Sequence, residues 1–404
     1  MRANAGAIAA LTLAVLLAFL LIGSFSAVQE AAKAELGLSD SALALAQGMS
    51  AAVLLVGLSI PVGALVDRVN RLNLLRVMAL VWTLGTIGTA FAVGPVTLFL
   101  ARMAASIGIA GALTAAISIA ADLSRPETRG KTLLVLTLGK VCGQAAAFGV
   151  TGALFGWLNG DWRGVHLLLA AGGAALAMPL FAIREPERCE VSESVGAPMR
   201  DAARALWARK GWLLPLYAGG AAVAMADTAA TIWAAPVLGR RFGLAPDEFG
   251  GWMAVLLVAV GLVGATLGGV LADRGRARGR ILMPAVIAAA LSVPTAVFAI
   301  MPSVGGFAVA FGLFMLAGTV IGLILAVSFT VLLPNELRGL AIGGFLSISG
   351  LAAFGIAPVL VAQAGAALGG ESQLPLSLAI VATAVSLASI ICLFVADRNA
   401  PKPV

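Results

Sequence analysis

The chain has 404 residues, of which 61% are hydrophobic and only 11% are charged. Soluble globular domains carry about 25% charged residues, and disordered chains are highly charged and poor in apolar residues, so both classes are excluded. The apolar runs are continuous rather than alternating, which excludes a transmembrane β-barrel. The sequence therefore predicts an integral membrane protein built from helices.

Polar breaks divide the chain into apolar segments of about 20 residues or more, the length that a membrane-spanning helix needs. We predict twelve spans, over residues 5–28, 43–66, 74–94, 95–122, 132–158, 165–183, 212–238, 249–272, 281–301, 303–333, 340–366 and 375–396. The polar stretch 184–211 separates two sets of six, and its residues 198–210 predict a short basic helix. This helix either lies at the lipid headgroups or belongs to a solvated linker that only spans the gap. The predicted organisation is an N-terminal six-helix bundle over 1–183, a cytoplasmic linker over 184–211 and a C-terminal six-helix bundle over 212–404.

The 26 Lys and Arg residues are distributed unevenly between the two sides of the membrane. If the N-terminus lies inside, twenty of them fall on the inner side and two, Arg102 and Lys140, fall within spans. The outer side then holds four, namely Lys33, Arg163, Arg240 and Arg241. Cytoplasmic loops are enriched in Lys and Arg, so we predict a bacterial cytoplasmic-membrane protein with both termini cytoplasmic. The net charge of +7 reflects this topology and gives no support for nucleic-acid binding.

The two halves share motifs at a nearly constant offset. Residues 63–68 (Gly-Ala-Leu-Val-Asp-Arg), after span 2, recur as residues 269–274 (Gly-Val-Leu-Ala-Asp-Arg), after span 8. Residues 127–130 (Glu-Thr-Arg-Gly) recur as residues 336–339 (Glu-Leu-Arg-Gly), between spans 10 and 11. The sequence therefore predicts a duplicated six-helix unit whose copies are related by an axis along the membrane normal.

The twelve spans, the six-plus-six repeat, the long central loop and the repeated G-x-x-x-D-R motif together resemble the major facilitator superfamily over the whole chain. The resemblance implies an all-α membrane fold of twelve transmembrane helices in two pseudo-symmetric six-helix bundles. It also implies that the motif forms a cytoplasmic gate in which carboxylates pair with arginines of neighbouring loops. The residues assigned to this gate are Gly63, Asp67, Arg68, Arg71, Gly269, Asp273 and Arg274. The alternative is that they only stop helices and anchor the topology.

Within that superfamily the chain is most similar to the spinster-like branch. The similar segments are 35–40 (Glu-Leu-Gly-Leu-Ser-Asp), 122–130 (Asp-Leu-Ser-Arg-Pro-Glu-Thr-Arg-Gly), 161–163 (Asp-Trp-Arg) and 184–186 (Arg-Glu-Pro). The span-4 arginine of the branch is kept as Arg102. The acidic groups of the branch are absent, because Leu21-Ile22 replace its Asp-Arg pair and Gly108-Ile109 replace its Gly-Glu.

Charged side chains inside a bilayer cost about 3 kcal/mol or more on insertion scales, so each is a candidate functional residue. Of nineteen acidic residues, Asp227 is the one well inside a predicted span, and Arg102 and Lys140 are the basic ones. Gln144 lies one helical turn after Lys140, on the same face. We predict that these four side chains bind the substrate and that Asp227 carries the coupling proton.

These assignments have structural alternatives. Arg102 and Asp227 would both lie in the outer half of the membrane, about 10 Å from its outer side and about 22 Å from its inner side, respectively. They either pair with each other or are satisfied separately within their own bundles. Lys140, near the midplane, either meets an anion or a distant carboxylate, loses its proton, or bonds to helix carbonyls.

Two pairs of glycines are spaced one helical turn apart, Gly139 with Gly143 in span 5 and Gly264 with Gly268 in span 8. Small residues at this spacing let the backbones of neighbouring helices approach closely. We therefore predict tight helix contacts at both pairs.

We predict a secondary active transporter that moves a small organic, anionic solute by alternating access and is coupled to H⁺. The expected partners are the solute, H⁺ and membrane lipid, and the protein is expected to act as a monomer. The alternatives are a facilitator that needs no proton because Arg102 holds Asp227, a spinster-like exporter of lysolipids or amphiphiles, and a non-transporting membrane receptor. A single histidine, three separated cysteines and no nucleotide-binding motif predict no enzyme activity, no cofactor and no metal site.

Overall fold

The fold is all-helical. The computed structural model describes residues 2–55, 57, 69–124, 129–186 and 199–401. Within these ranges the chain forms α-helices joined by short turns, and no β-strand occurs. The predicted fold class is therefore confirmed.

The helices fall into two groups, before and after residues 187–198, which lie outside the described ranges. The first group consists of α1 (Arg2–Leu36), α2 (Asp40–Leu55), α3 (Arg71–Ala90), α4 (Pro95–Ala105), α5 (Ile107–Leu123), α6 (Arg129–Trp157), α7 (Trp162–Ala177) and α8 (Pro179–Ala182). The second group consists of α9 (Met199–Trp207), α10 (Lys210–Phe242), α11 (Pro246–Ala277), α12 (Met283–Ser292), α13 (Val304–Leu332), α14 (Asn335–Gly350), α15 (Ala357–Ala367) and α16 (Leu374–Asn399). The α9 helix confirms the short helix predicted within the linker.

Several of these helices depart from regular α geometry. A π-helical turn, Leu45–Met49, lies within α2, and another, Leu351–Ile356, joins α14 to α15. Two 3₁₀ turns, Val293–Thr295 and Phe298–Ile300, extend α12. Such irregular turns change the direction of the side chains that follow them.

Ten helical stretches of the described residues are long and apolar enough to cross a membrane. The remaining two predicted spans correspond to shorter helices. Span 2 continues from α2 into residues that lie outside the described ranges. Span 4 is divided at Ser106. The Ser106 amide donates to the carbonyls of both Arg102 and Met103, and the Ser106 hydroxyl donates to the Arg102 carbonyl at 2.7 Å. The described helices are therefore consistent with twelve spans.

The chain forms two compact units, each with its own apolar core. Unit 1 contains residues 1–192 and 238–258, and unit 2 contains residues 193–237 and 259–404. Fully buried Leu11, Leu75 and Leu136 belong to the core of unit 1. Fully buried Leu216, Ile324 and Leu393 belong to the core of unit 2. The hairpin formed by the end of α10 and the start of α11, residues 238–258, is thus part of unit 1.

The predicted glycine contacts are confirmed in both units. A Cβ atom on Gly143 of α6 would stand 2.3 Å from the carbonyl oxygen of Leu16 in α1. A Cβ atom on Gly264 of α11 would stand 2.7 Å from Cβ of Thr319 in α13. Both distances are shorter than van der Waals contact, so any larger residue would push the paired helices apart.

The predicted orientation is tested by the accessibility of two exposed positions. Ser372 lies between α15 and α16, on the predicted outer side, and Ala277 ends α11 on the predicted inner side. In a variant without the natural cysteines, we expect an impermeant maleimide added to intact cells to modify Ser372→Cys and not Ala277→Cys. Both cysteines should react after permeabilisation, and the reverse pattern in intact cells would show that the orientation is inverted.

Candidate functional site

Arg102 lies at the end of α4 with 1% of its surface exposed. Its guanidinium donates a hydrogen bond to the backbone carbonyl of Ile22 and lies 5.1 Å from the centre of the Phe25 ring, both in α1. Its Nε and Nη1 atoms are buried without a hydrogen-bond partner in the described part of the chain. Arg102 is thus held within unit 1 and keeps two donors unused.

His166 adjoins the same aromatic ring. Its imidazole lies 5.8 Å from the Phe25 ring, and its Nδ1 donates to the Trp162 carbonyl at 2.8 Å. The side chain is fully buried. Arg102, Phe25 and His166 therefore form one buried cluster near the predicted outer end of unit 1.

Lys140 and Gln144 lie on α6, which packs along α1. The Lys140 side chain is half-buried, and its ammonium lies 5.4 Å from the centre of the Phe19 ring. Gln144 is exposed one turn further along the helix. Within the described ranges, no carboxylate forms an ion pair with Lys140. The aromatic face stabilises this cation partially and leaves its N–H groups available to an anion.

Asp227 lies on α10, in unit 2, directly against α13. A Cβ atom on Gly318 would stand 2.2 Å from a carboxylate oxygen of Asp227, so glycine is what leaves room for this side chain. A cavity of about 10 Å³ beside the carboxylate has the size of a single water molecule. The hydroxyl-bearing residues that line the cavity are Ser292, Ser386 and Ser389. Asp227 thus occupies a small polar site inside unit 2.

The structure therefore assigns the four predicted binding residues to two separate places. Arg102, Lys140 and Gln144 lie in unit 1, where Arg102 and Lys140 contact different rings of α1. Asp227 lies in unit 2. The contacts described for Arg102 and for Asp227 each fall within one unit, and their pairing with each other stays a prediction.

Arg71 is the centre of an ion cluster at the predicted cytoplasmic end of unit 1. Its Nε donates to Glu185 at 2.7 Å, and its Nη1 donates to Asp122 at 2.6 Å and to the Ser118 hydroxyl at 3.0 Å. The second carboxylate oxygen of Glu185 accepts from the Leu72 amide at 2.8 Å. The cluster joins the start of α3 to the end of α5 and to the chain after α8. Sequence reasoning identified Arg71 but not its two carboxylate partners.

The other predicted gate residues are only partly described. Gly63, Asp67 and Arg68 lie outside the described residues. In the C-terminal copy, a Cβ atom on Gly269 would stand 3.8 Å from the Leu323 side chain. Asp273 and Arg274 are exposed one turn before the end of α11.

Arg240 is the centre of a second ion cluster, at the predicted outer end of unit 1. Its Nε and Nη2 donate to the two carboxylate oxygens of Glu30 at 2.8 and 2.7 Å. Its Nη1 and Nη2 donate to the two oxygens of Asp40 at 2.7 and 2.6 Å. Lys33 also donates to Asp40, at 2.6 Å. One guanidinium thus makes two bidentate pairs, the strongest geometry for such an interaction, and attaches the 238–258 hairpin to α1 and α2.

Removing this guanidinium is expected to release the hairpin from unit 1. Arg240→Gln leaves Glu30 and Asp40 without their bidentate partner, which should destabilise the contact by about 2 kcal/mol or more. We expect faster hydrogen exchange at the amides of residues 238–245, measured by mass spectrometry. Arg241→Gln is the control, because Arg241 is exposed and lies over the ring of Phe242 next to it. Equal exchange rates in the two variants would contradict the role of Arg240.

The family of the chain follows from its sequence. The sequence model of the Major Facilitator Superfamily matches residues 11–358, which is most of the chain. No curated protein gives a significant sequence match.

Solved transporter structures share the fold. One is a bacterial homologue of the human lysosomal transporter Spinster, in an inward-facing, occupied conformation. It is 22% identical to this chain with a TM-score of 0.79, and the match covers 99% of this chain and 96% of that chain. The nucleoside transporter NupG is 15% identical with a TM-score of 0.71, covering 96% and 99%. A D-xylose–proton symporter is 18% identical with a TM-score of 0.69, covering 95% and 96%.

These likenesses show the fold and not the substrate, because all three identities are low. The family match and the shared fold confirm the resemblance that the repeated loop motif indicated. The protein is a member of the Major Facilitator Superfamily.

Proposed function

We propose that the protein is a secondary active transporter that moves a small organic anion by alternating access, with H⁺ as the coupling ion. Membership of a transporter superfamily supports transport. The observation that carries the choice of an anion is Lys140, a half-buried cation that has an aromatic ring and no carboxylate beside it in the described part of the chain.

The charges of unit 1 favour an anionic solute. Lys140 and the exposed Gln144 offer N–H donors on one face of α6, and Arg102 adds a second buried positive charge. Within a low-dielectric protein interior, such positive charge attracts an anion much more strongly than it would in water. A carboxylate, sulfonate or phosphate group on a modest apolar body fits these donors. Arg102 is buried against Phe25, so in this structure it contributes positive potential rather than a direct contact.

The two ion clusters of unit 1 support the gating part of the proposal. They lie at opposite ends of the unit, one around Arg71 and one around Arg240. The helix α10 passes from unit 2 into unit 1 between Val237 and Leu238, one residue after Pro236. A proline inside a helix removes one backbone hydrogen bond and permits a bend. Breaking the Arg240 pairs would therefore free the hairpin on the outer side, which we propose as the outer gate.

Asp227 is the proposed coupling residue because its carboxylate lies on a predicted membrane-spanning helix inside unit 2, beside a cavity large enough for one water molecule. A proton exchanged at this carboxylate would change the charge next to α13. The contact with Gly318 makes the position of the carboxylate sensitive to the packing of α10 on α13.

The spinster-like exporter is the less favoured alternative. That branch is expected to carry an acidic residue at the position of Leu21. Leu21 is fully buried, and a Cβ atom on Gly173 of α7 would stand 3.3 Å from its side chain. This position is part of an apolar core, so proton coupling through it is excluded. Transport of labelled solute into proteoliposomes distinguishes either transporter from a receptor on the same scaffold.

Coupling is tested by separating the charge of Asp227 from its position. Asp227→Asn should abolish solute accumulation driven by a pH gradient and leave counterflow exchange intact, because exchange needs no net proton movement. Gly318→Ala keeps the charge, displaces the carboxylate, and should reduce accumulation in the same way. Gly322→Ala, one turn further along α13 with open space around it, is the control.

The measurement is uptake into proteoliposomes with and without an imposed pH gradient. Unchanged gradient-driven uptake in Asp227→Asn would remove this residue from the mechanism. Loss of both accumulation and exchange would assign it to folding or gating instead.

The anionic substrate is tested on Lys140. A thermal-shift screen of anions, lysolipids and cationic drugs identifies the ligand, and Lys140→Ala should then weaken its binding by about 1–3 kcal/mol by removing a charged hydrogen bond. Lys131→Ala, on an exposed position of the same helix, should leave binding unchanged. A lipophilic cation as the best ligand, or unchanged anion binding in Lys140→Ala, would refute the anionic substrate.

A further inference from the structure

A cavity of about 540 Å³ lies between α11, α12 and α13 in unit 2. Its walls are apolar over most of their length, with Leu271 from α11, Ile287 from α12 and Leu316 from α13. Two basic residues, Arg274 and Arg278, lie at one end. The cavity shares no lining residue with the Asp227 site. It is therefore a second, amphipathic site in the same unit.

The cavity opens towards the outside of its helices rather than into their core. Ile287 and Leu291, which line it from α12, are 52% and 66% exposed. Leu313, which lines it from α13, is 50% exposed. On helices that cross a membrane, large apolar side chains with this exposure contact the hydrocarbon of the lipid. The cavity is thus a groove that is open to lipid.

The groove has the length of one membrane leaflet. Its lining extends along α11 from Leu267 and ends at Arg278, one residue beyond the helix, which corresponds to about 16 Å of helical rise. The hydrocarbon core of a bilayer is about 30 Å thick, so the apolar walls and the two arginines together extend over about one leaflet. The arginines then lie at the level of the lipid headgroups, on the side that is predicted to be cytoplasmic.

The two arginines are free to bind an anion. Both are exposed, and neither side chain makes a hydrogen bond or an ion pair with another described residue. Arg280 differs, because it pairs with Asp397 of α16 at 2.9 Å and is thereby part of the fold. Guanidinium groups bind phosphate oxygens with geometry that suits paired hydrogen bonds, and basic residues at the membrane surface favour anionic lipids.

We propose that this groove binds an anionic phospholipid of the surrounding membrane. One acyl chain lies along the apolar walls, and the phosphate lies between Arg274 and Arg278. A volume of 540 Å³ is within the range of about 300–1,000 Å³ that is usual for ligand sites. A free phosphate would leave the apolar walls uncovered, whereas a phospholipid satisfies both parts of the groove. The site is separate from the proposed transport site and does not depend on its substrate.

The test uses the full-length protein in a neutral detergent. It is titrated with dioleoyl phosphatidylglycerol, with dioleoyl phosphatidylcholine and with glycerol 3-phosphate, and lipid that stays bound is counted by native mass spectrometry. We expect retention of phosphatidylglycerol and weak retention of the other two. Arg278→Gln should weaken phosphatidylglycerol binding by about tenfold or more, the size of one lost charged hydrogen bond. Arg276→Gln, in the last turn of α11 but outside the lining, should bind as the unchanged protein does.

Two further variants locate the lipid. Ala317→Leu narrows the apolar part of the groove without a change of charge and should also weaken phosphatidylglycerol binding. Lys140→Ala should bind phosphatidylglycerol as the unchanged protein does. The proposal is overturned if phosphatidylcholine or glycerol 3-phosphate binds as well as phosphatidylglycerol, or if Arg276→Gln weakens binding as much as Arg278→Gln. It is also overturned if Ala317→Leu leaves phosphatidylglycerol binding unchanged. Loss of the lipid in Lys140→Ala would overturn it too, because it would assign the lipid to the transport site.

Discussion

The constraint on which this structure depends is that hydrocarbon offers no hydrogen bonds, so each polar group inside the membrane needs a partner from the protein. The backbone meets this requirement by forming helices throughout the described spans. The few charged side chains inside the spans have only some of the hydrogen-bond partners that they need. Arg102 uses a carbonyl and an aromatic ring, Lys140 uses an aromatic ring, and Asp227 fits a site that Gly318 leaves open. Such incompletely satisfied charges are costly to keep, which is the physical reason for proposing them as binding and coupling residues.

The charges at the ends of the helices follow a different rule. There, Arg71 and Arg240 each donate short hydrogen bonds to two carboxylates, and each cluster joins segments that are far apart in sequence. An ion pair that is partly accessible to water costs less to break than a fully buried one, because water replaces the lost partner. In the Arg240 cluster the Glu30 side chain is 33% exposed, which suits the outer gate that we propose there, whereas the Arg71 side chain is only 4% exposed and its cluster suits permanent packing of unit 1.

The sequence predicts those features that depend on local pattern. Apolar length predicts the spans, the repeated motif predicts the family, and glycine spacing predicts the contact of Gly143 with Leu16. It does not predict the partners of Arg240, because Glu30 lies 210 residues earlier and no periodicity connects them. Nor does it predict the break at Ser106, where one hydroxyl competes for a helix carbonyl inside a continuous apolar run. Likewise, a lipid-facing groove arises from three helices and has no signature in any one of them.

The helix α10 connects the two kinds of charge. Asp227 and Arg240 lie thirteen residues apart on it, which is about 20 Å of helical rise, and Pro236 lies between them where the helix passes from unit 2 to unit 1. A straight helix would transmit a displacement at Asp227 directly to the ion pairs of Arg240. The proline makes the end of α10 easier to bend, so only part of such a displacement reaches Arg240. In the proposed mechanism, protonation of Asp227 moves the segment before Pro236, the bend at Pro236 sets how much of that movement reaches the outer gate, and no contact between the two side chains is required.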